Sequence, residues 1–225
     1  MNVSHKQIGI DVGGSHITAG LINTGTAGNG PLLISRVAIN SHDTAYNILT
    51  AFHNCIGKII AEEPEIDTVG LAFPGPFDYK KGISTVIGVG GKFEKTFGLH
   101  IQLALKDFTG LREVPFTFSN DAHCFAAGAY HLYQLKSRRT VFITLGTGFG
   151  SAFMRDGLLL TSDPDIPASG AFFNQDFQDA KADDYFSTRW ILNTYQQITG
   201  IAISSVKELV ENATPEAHQI GRAHV

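Results

Sequence analysis

Two stretches of this chain repeat one pattern: an apolar strand, a turn of small residues, and a second strand of alternating polarity. The first runs Ile8-Gly9-Ile10-Asp11-Val12-Gly13-Gly14-Ser15 into His16-Ile17-Thr18-Ala19-Gly20-Leu21-Ile22. The second runs Val141-Phe142-Ile143-Thr144-Leu145-Gly146-Thr147-Gly148-Phe149-Gly150 into Ser151-Ala152-Phe153-Met154-Arg155. Period-two alternation on both sides of a glycine turn specifies a hairpin. Glycine tolerates positive φ and lets backbone N–H groups come close to an anion. Two such turns facing each other would hold a chain of phosphates from both sides, so phosphoryl transfer is the first chemistry the chain suggests.

The segments between the hairpins alternate β and α. A turn-rich loop at Thr24–Pro31 leads to a strand over Leu32–Ile39. Thr44–Ile60 places Ala45, Ile48, Leu49, Phe52, Ile56, Ile59 and Ile60 at helical spacing. Asp67–Phe73 reads as a strand stopped by Pro74-Gly75-Pro76, Ile101–Phe108 as a helix, and Pro115–Ser119 as a buried strand. A helix follows from Asn120-Asp121 through Cys124–Leu135, and Asp183–Ile198 and Val206–Asn212 are further helical segments. This order implies an α/β fold with a mostly parallel sheet and helices outside. It divides into two α/β lobes, residues 1–119 and 120–219, each opening with a hairpin. Ligands in such folds bind beyond the carboxyl ends of strands, here in a cleft between the lobes.

Composition narrows the function. The 225 residues fit one large domain or two modest ones, and 43% apolar content is enough to bury a core. A net charge of −4 without a basic run argues against nucleic acid as a partner. Cys55 and Cys124 lack CxxC or Cys/His spacing, which supports neither a disulfide nor a zinc framework. The nine histidines form no HxxxH array, and His123 reads as packing on its helix. No signal peptide precedes Ile8 and no apolar run reaches membrane-spanning length, so a cytoplasmic protein without membrane contact is expected.

Three groups of residues carry the candidate chemistry. Asp11, at the end of its strand, could hold Mg²⁺ through water beside phosphates, or could simply cap its own turn. Asn120-Asp121 ends a strand and opens a helix. Asp121 could accept a hydroxyl proton while Asn120 binds a neighbouring hydroxyl, or the pair could be an N-cap. Thr144, Gly146, Thr147, Gly148 and Gly150 suggest a phosphate cradle of amides and hydroxyls. This second turn matches neither the Walker pattern nor the dinucleotide fingerprint, since no lysine or correctly spaced third glycine follows.

These elements, in this order, resemble the ROK family (repressors, open reading frames and sugar kinases) of the actin-like ATPase superfamily, with its ribonuclease H-like fold. Asp11-Val12-Gly13-Gly14-Ser15 is similar to the family's first phosphate motif, and Leu71-Ala72-Phe73-Pro74-Gly75-Pro76-Phe77-Asp78 to its PGPVD-type segment. Asn120-Asp121-Ala122-His123-Cys124-Phe125-Ala126-Ala127-Gly128 resembles its NDANAAAxGE stretch, and Leu145–Gly150 its second phosphate motif. The resemblance implies ATP and Mg²⁺, a hexose or related sugar as acceptor, and a homodimer as a common assembly. It makes Asp121 the catalytic base, with Asn120 and Gly75 on the sugar. Asp11, Gly13, Gly14, Ser15, Thr144, Gly146, Thr147 and Gly148 would serve the phosphates.

The departures define an alternative. The family's Glu-x-Gly-His sugar motif corresponds to Ala168-Ser169-Gly170-Ala171, and its zinc cysteines are missing. Ala182–Ser187 instead resembles zinc-free members such as polyphosphate glucokinases, which would place Asp183 near the sugar. A non-catalytic sugar-binding sensor is therefore the second expectation. A DNA-binding repressor is disfavoured because only about seven residues precede the first strand. Ile220-Gly221-Arg222-Ala223-His224-Val225 back-translates to a common sequencing adapter. Residues 220–225 are thus expected to be artefact and the second lobe truncated.

Overall fold

A computed structural model describes residues 5–24, 30–88, 91–146 and 148–211. Thr147, most of the expected loop at 24–31 and the expected adapter tail at 220–225 lie outside them. The chain divides into two compact units, Met1–Cys124 and Phe125–Val225.

The first hairpin forms as its alternation predicts. Strand β1 (Lys6–Val12) pairs antiparallel with β2 (His16–Asn23), setting Asp11 opposite Thr18. The Gly13 N–H closes the turn on the His16 carbonyl at 2.9 Å. Strand β3 (Leu33–Ala38) continues the meander. Helix α1 (Ala45–Glu62) starts where the Thr44 hydroxyl accepts the Asn47 N–H, a side-chain cap for an otherwise unpaired donor. Strand β4 (Thr68–Phe73) then lies parallel to β1. After a small ribbon of β5 (Phe77–Asp78) and β6 (Ile83–Ser84) comes α2 (Ile101–Thr109), and β7 (Phe116–Asn120) pairs parallel with β4. The sheet order is β3-β2-β1-β4-β7, antiparallel in its first half and parallel in its second.

One face of this sheet carries the core. Ile8, Ile10, Val12, Ile17, Leu21, Val69, Leu71 and Phe73 bury against Ile48, Phe52, Cys55, Ile56 and Ile59 of α1. Cys55 is fully buried in this core, its thiol within reach of the Ile17 and Ser35 carbonyls as a donor. Because strand side chains alternate, Gly9 and Asp11 belong to the opposite face.

Helix α3 (Asp121–Leu132) crosses the division between the units. It stops three residues short of the expected Leu135. Gln134 adopts φ 48°, and the Leu135 N–H turns back to the Tyr130 carbonyl, a left-handed helix end.

In the second unit β8 (Arg139–Leu145), β9 (Phe149–Arg155) and β10 (Leu158–Leu160) form an antiparallel sheet. Ala126 and Tyr130 of α3 pack on its Phe142, Ala152, Met154 and Leu159. The short ribbon β11 (Asp176–Phe177) and β12 (Ala180–Lys181) precedes α4 (Ala182–Phe186), α5 (Thr188–Thr199) and α6 (Val206–Glu211). Among the described residues of this unit every strand pair is antiparallel, where a mostly parallel sheet was expected. The single helix expected over Asp183–Ile198 is two helices. Ser187, at φ −100° and ψ 156°, is extended, and its hydroxyl caps α5 by accepting the Trp190 N–H. A serine hydroxyl competing for a backbone donor breaks a helix that apolar periodicity alone would continue. No helix among the described residues is long and apolar enough to cross a membrane.

Candidate functional site

Parallel strands end on the same side of a sheet, and in the first unit three end side by side. Asp11 of β1 pairs with Ala72 of β4, and Phe73 of β4 pairs with Asn120 of β7. That register gathers Asp11 with its Gly13-Gly14 turn, the Pro74-Gly75-Pro76 segment, and Asn120-Asp121 at one edge. Such an edge is the usual ligand site of an α/β sheet.

Asn120 serves the cap and the candidate site together. Its Oδ1 accepts from the N–H groups of Ala122 (3.0 Å) and His123 (3.4 Å), capping α3. Its Nδ2 donates to the Tyr79 hydroxyl at 3.3 Å, and that hydroxyl donates to the Phe73 carbonyl at 3.1 Å. A methyl added to Gly75 would meet the Tyr79 hydroxyl at 3.2 Å and the Asn120 amide at 3.9 Å. Glycine at 75 therefore keeps this polar pair open. Burial pushes the Tyr79 phenol up to about 12, with the Asp121 charge adding to the shift, so it stays a neutral donor. Tyr79→Phe is expected to cost about 1 kcal/mol by leaving the Phe73 carbonyl unpaired. A stability unchanged in urea titration would contradict this.

Asp121 is the first residue of α3 and is exposed. The Ala122 N–H holds its Oδ1 at 2.9 Å, which orients the carboxylate. Asp11 is open to solvent, but the protein around it raises its pKa, and the nearby Asp121 charge raises it further. A carboxyl whose pKa is higher folded than unfolded loses stability as pH climbs from its ordinary 3.8 through the folded value. Asp11→Asn is therefore expected to raise the melting temperature at pH 7. The gain should vanish below about pH 4, where the carboxyl is protonated in both states. Thermal melts across pH check this, and an equal gain at pH 3 would refute it.

Beside these groups a depression of about 600 Å³ is lined by Asp11, Thr18, Gly20, Gly70, Ser119 and Cys124, among others. Burial raises the Cys124 thiol and lowers the His123 imidazole, in each case favouring the neutral form. Both side chains are half-buried, and the Cys124 thiol lines the depression.

The second glycine turn is built within its own unit. The Gly146 N–H donates to the Gly148 carbonyl at 3.1 Å, and the Gly146 carbonyl accepts the Thr188 N–H at 2.8 Å. Thr144 pairs with Gly150 across β8 and β9. Asp183, expected near the sugar, is committed here. Its Oδ1 takes the Phe149 N–H at 2.6 Å and its Oδ2 pairs with Arg189 at 2.9 Å. A methyl on Gly148 would lie 3.0 Å from that same Oδ1, so the carboxylate braces the turn at close range. In the Ala168-Ser169-Gly170-Ala171 segment, Gly170 is at φ 70°, and a methyl there would strike the Thr161 carbonyl at 2.9 Å. The motif's glycine has a backbone reason to remain even though its flanking side chains are methyls. A separate cavity of about 640 Å³ is lined by Arg138, Arg139, Arg155 and three aspartates. Its charges pair internally, Arg155 bidentate with Asp163 and Arg139 with Asp165 at 2.9 Å.

Comparison with known proteins gives this arrangement a context. The profile of the ROK family matches residues 7–163. The polyphosphate glucokinase of Mycobacterium leprae (strain TN) is 24% identical over 212 residues, which is 93% of this chain and 60% of that protein. The chain thus spans 60% of the length of this curated relative. Among solved structures, a ROK hexokinase from Thermus thermophilus superposes with a TM-score of 0.69 at 18% identity, over 96% of this chain and 72% of that one. A ROK family glucokinase from Streptomyces griseus, solved with glucose and AMPPNP, gives a TM-score of 0.67 at 21% identity, over 96% of this chain and 74% of that one. These likenesses establish the α/β actin-like ATPase fold expected from the sequence.

Proposed function

The chain belongs to the ROK family, and from that premise we propose that it is a sugar kinase, moving the γ-phosphoryl group of ATP to a hydroxyl of a hexose or related sugar. The observation that carries this reading is the meeting of Asp121 with Asp11 at one strand edge, beside the Gly13-Gly14 turn. Phosphoryl transfer needs a base for the nucleophile and donors for the phosphates, and this edge offers both.

In this reading Asp121 Oδ2, without a hydrogen-bond partner among the described residues, takes the proton of the attacking hydroxyl. The hydroxyl oxygen forms a bond to the γ-phosphorus as the bond to the bridging oxygen breaks, releasing ADP. Asn120 and Gly75, with Tyr79 beside them, orient the acceptor. The Gly14 and Ser15 N–H groups donate to phosphate oxygens beside the Gly13 N–H, which already closes the turn on the His16 carbonyl, and Thr144, Gly146 and Gly148 belong to the second candidate phosphate turn. Asp183 holds that turn in shape, a role its two contacts favour over a sugar contact.

Mg²⁺ fits Asp11 through water. A carboxylate in the field of a second carboxylate is relieved by a divalent cation, and Mg²⁺ favours one or two protein oxygens with waters and phosphates. No cluster of three or more His, Cys, Asp or Glu exists among the described residues to offer a richer site. When bound, Mg²⁺ would neutralise charge on the phosphate chain.

A second reading, a non-catalytic sugar-binding member, is favoured by Ala168 and Ala171, which remove two hydrogen-bonding side chains from the expected sugar motif. Each lost partner costs on the order of 1–3 kcal/mol. The deciding assay follows ADP release from ATP over a panel of hexoses. ADP formed only when a sugar is present supports the kinase. Sugar binding by calorimetry without ADP supports the sensor, and neither signal rejects both.

A further inference from the structure

Neither glycine turn has a lysine next to it in sequence. A turn of backbone N–H groups holds phosphate best when a point positive charge joins it, as the lysine of a Walker loop does. In the first unit the fold supplies that charge from a distant loop. A methyl built on Gly14 would lie 3.3 Å from Lys92 Nζ and 3.5 Å from both Cδ and Cε. The ammonium and the last two methylenes of Lys92 therefore lie directly across the Gly13-Gly14 turn. A side chain at 14 would push them away.

Lys92 is held there by its backbone. Residues on both sides are left-handed, Gly91 at φ 80° and Phe93 at φ 56°. For phenylalanine that region is strained, and strain persists only where surrounding structure enforces it. The enforcement is visible. The Phe93 ring is buried against Phe73, with ring centroids 5.5 Å apart, and its N–H donates to the Ser41 carbonyl at 2.6 Å. One oxygen of Glu94 accepts the N–H groups of Gly88 (2.9 Å) and Gly91 (3.3 Å). At Gly91 a methyl would meet the His42 ring at 2.9 Å, so the loop packs as closely as glycine permits.

We propose that Lys92 is a phosphate-binding residue of the first glycine turn, giving the donor's phosphate chain the cation that the turn's own sequence lacks. This rests on the phosphoryl-transfer reading and assigns its donor side a residue that sequence spacing could not reveal. A compact ammonium with three rotatable donors suits a phosphate chain, whose oxygens present no single bidentate edge.

The test measures binding of inorganic tripolyphosphate and of ATP to the 225-residue chain by calorimetry without sugar, so turnover does not enter. Lys92→Met, which removes the charge but keeps the length, is expected to weaken both about 10- to 100-fold. Lys92→Arg should recover most of the loss, which separates lost charge from misfolding. Gly14→Ala should give a smaller loss in the same direction. In the sugar assay K92M should raise the KM for ATP and leave that for the sugar alone. Unchanged tripolyphosphate and ATP binding in K92M would overturn the assignment, as would a wild-type protein that binds neither. Lys92-dependent tripolyphosphate binding without turnover on any sugar would retire the kinase reading and keep the site.

Discussion

Asp121→Asn is expected to lower turnover by about 100- to 10,000-fold while sugar and nucleotide affinity stay within a few-fold of wild type. The substitution changes one property. Asparagine keeps the Oδ1 that accepts the Ala122 N–H at 2.9 Å, so the start of α3 should hold its shape. It also removes the charge that adds to the burial-driven rise of the Asp11 pKa, so the Asp11 carboxyl should ionise somewhat more easily in the variant. What disappears is the capacity to accept a proton from an attacking hydroxyl. The checks are steady-state rates with ATP and the best sugar of the panel, beside calorimetric affinities for each. A variant retaining turnover within about three-fold would remove Asp121 from the role of base, because general-base loss is seldom that small. A protein with no turnover to lose would match the sensor reading.

The outcome bears on how far local sequence can be trusted here. The glycine hairpins, the apolar face of α1 and the strand before Asn120 are local patterns, and each folds where its periodicity places it. The two readings of Asn120, cap or site residue, turn out to be compatible. One side-chain oxygen caps α3 while the amide nitrogen reaches Tyr79.

What local pattern could not supply is chemistry brought in from elsewhere in the chain. Tyr79 meets Asn120 across 41 positions, and nothing in Phe77-Asp78-Tyr79 marks a site residue. Lys92 reaches Gly14 through a loop whose shape depends on buried Phe93 and on Glu94, so its role is written in packing and not in a motif. Asp183 shows a related limit, because a family position implies a neighbourhood and not a partner. Here its two oxygens are taken by Phe149 and Arg189. The break at Ser187 shows the same limit on a smaller scale. The helical spacing of apolar residues continues through it, and only the hydroxyl's competition for the Trp190 N–H divides α4 from α5.

Phe73→Ala is expected to destabilise the protein by about 3–5 kcal/mol, a large share of the stability of an ordinary domain. Phe73 is fully buried at the end of β4, with ring centroids 4.6 Å from Phe77, 5.5 Å from Phe93 and 6.4 Å from Phe52. Removing it opens a cavity among three rings that cannot all move inward, since each is fixed by a different segment. The same residue ties the core to the site. Its carbonyl receives the Tyr79 hydroxyl, its backbone pairs with Asn120, and its ring supports Phe93 beside Lys92. A stability loss confined to packing would leave ligand binding intact in the folded fraction. Through these links, Phe73→Ala should weaken tripolyphosphate binding as well, even below its melting temperature. Phe73→Leu, which refills much of the volume, should lose less than half as much stability and keep most of the affinity. Urea titration gives the first quantity and calorimetry the second. A loss under about 1 kcal/mol would mean that the rings collapse into the gap, against the expectation for a site so tightly walled.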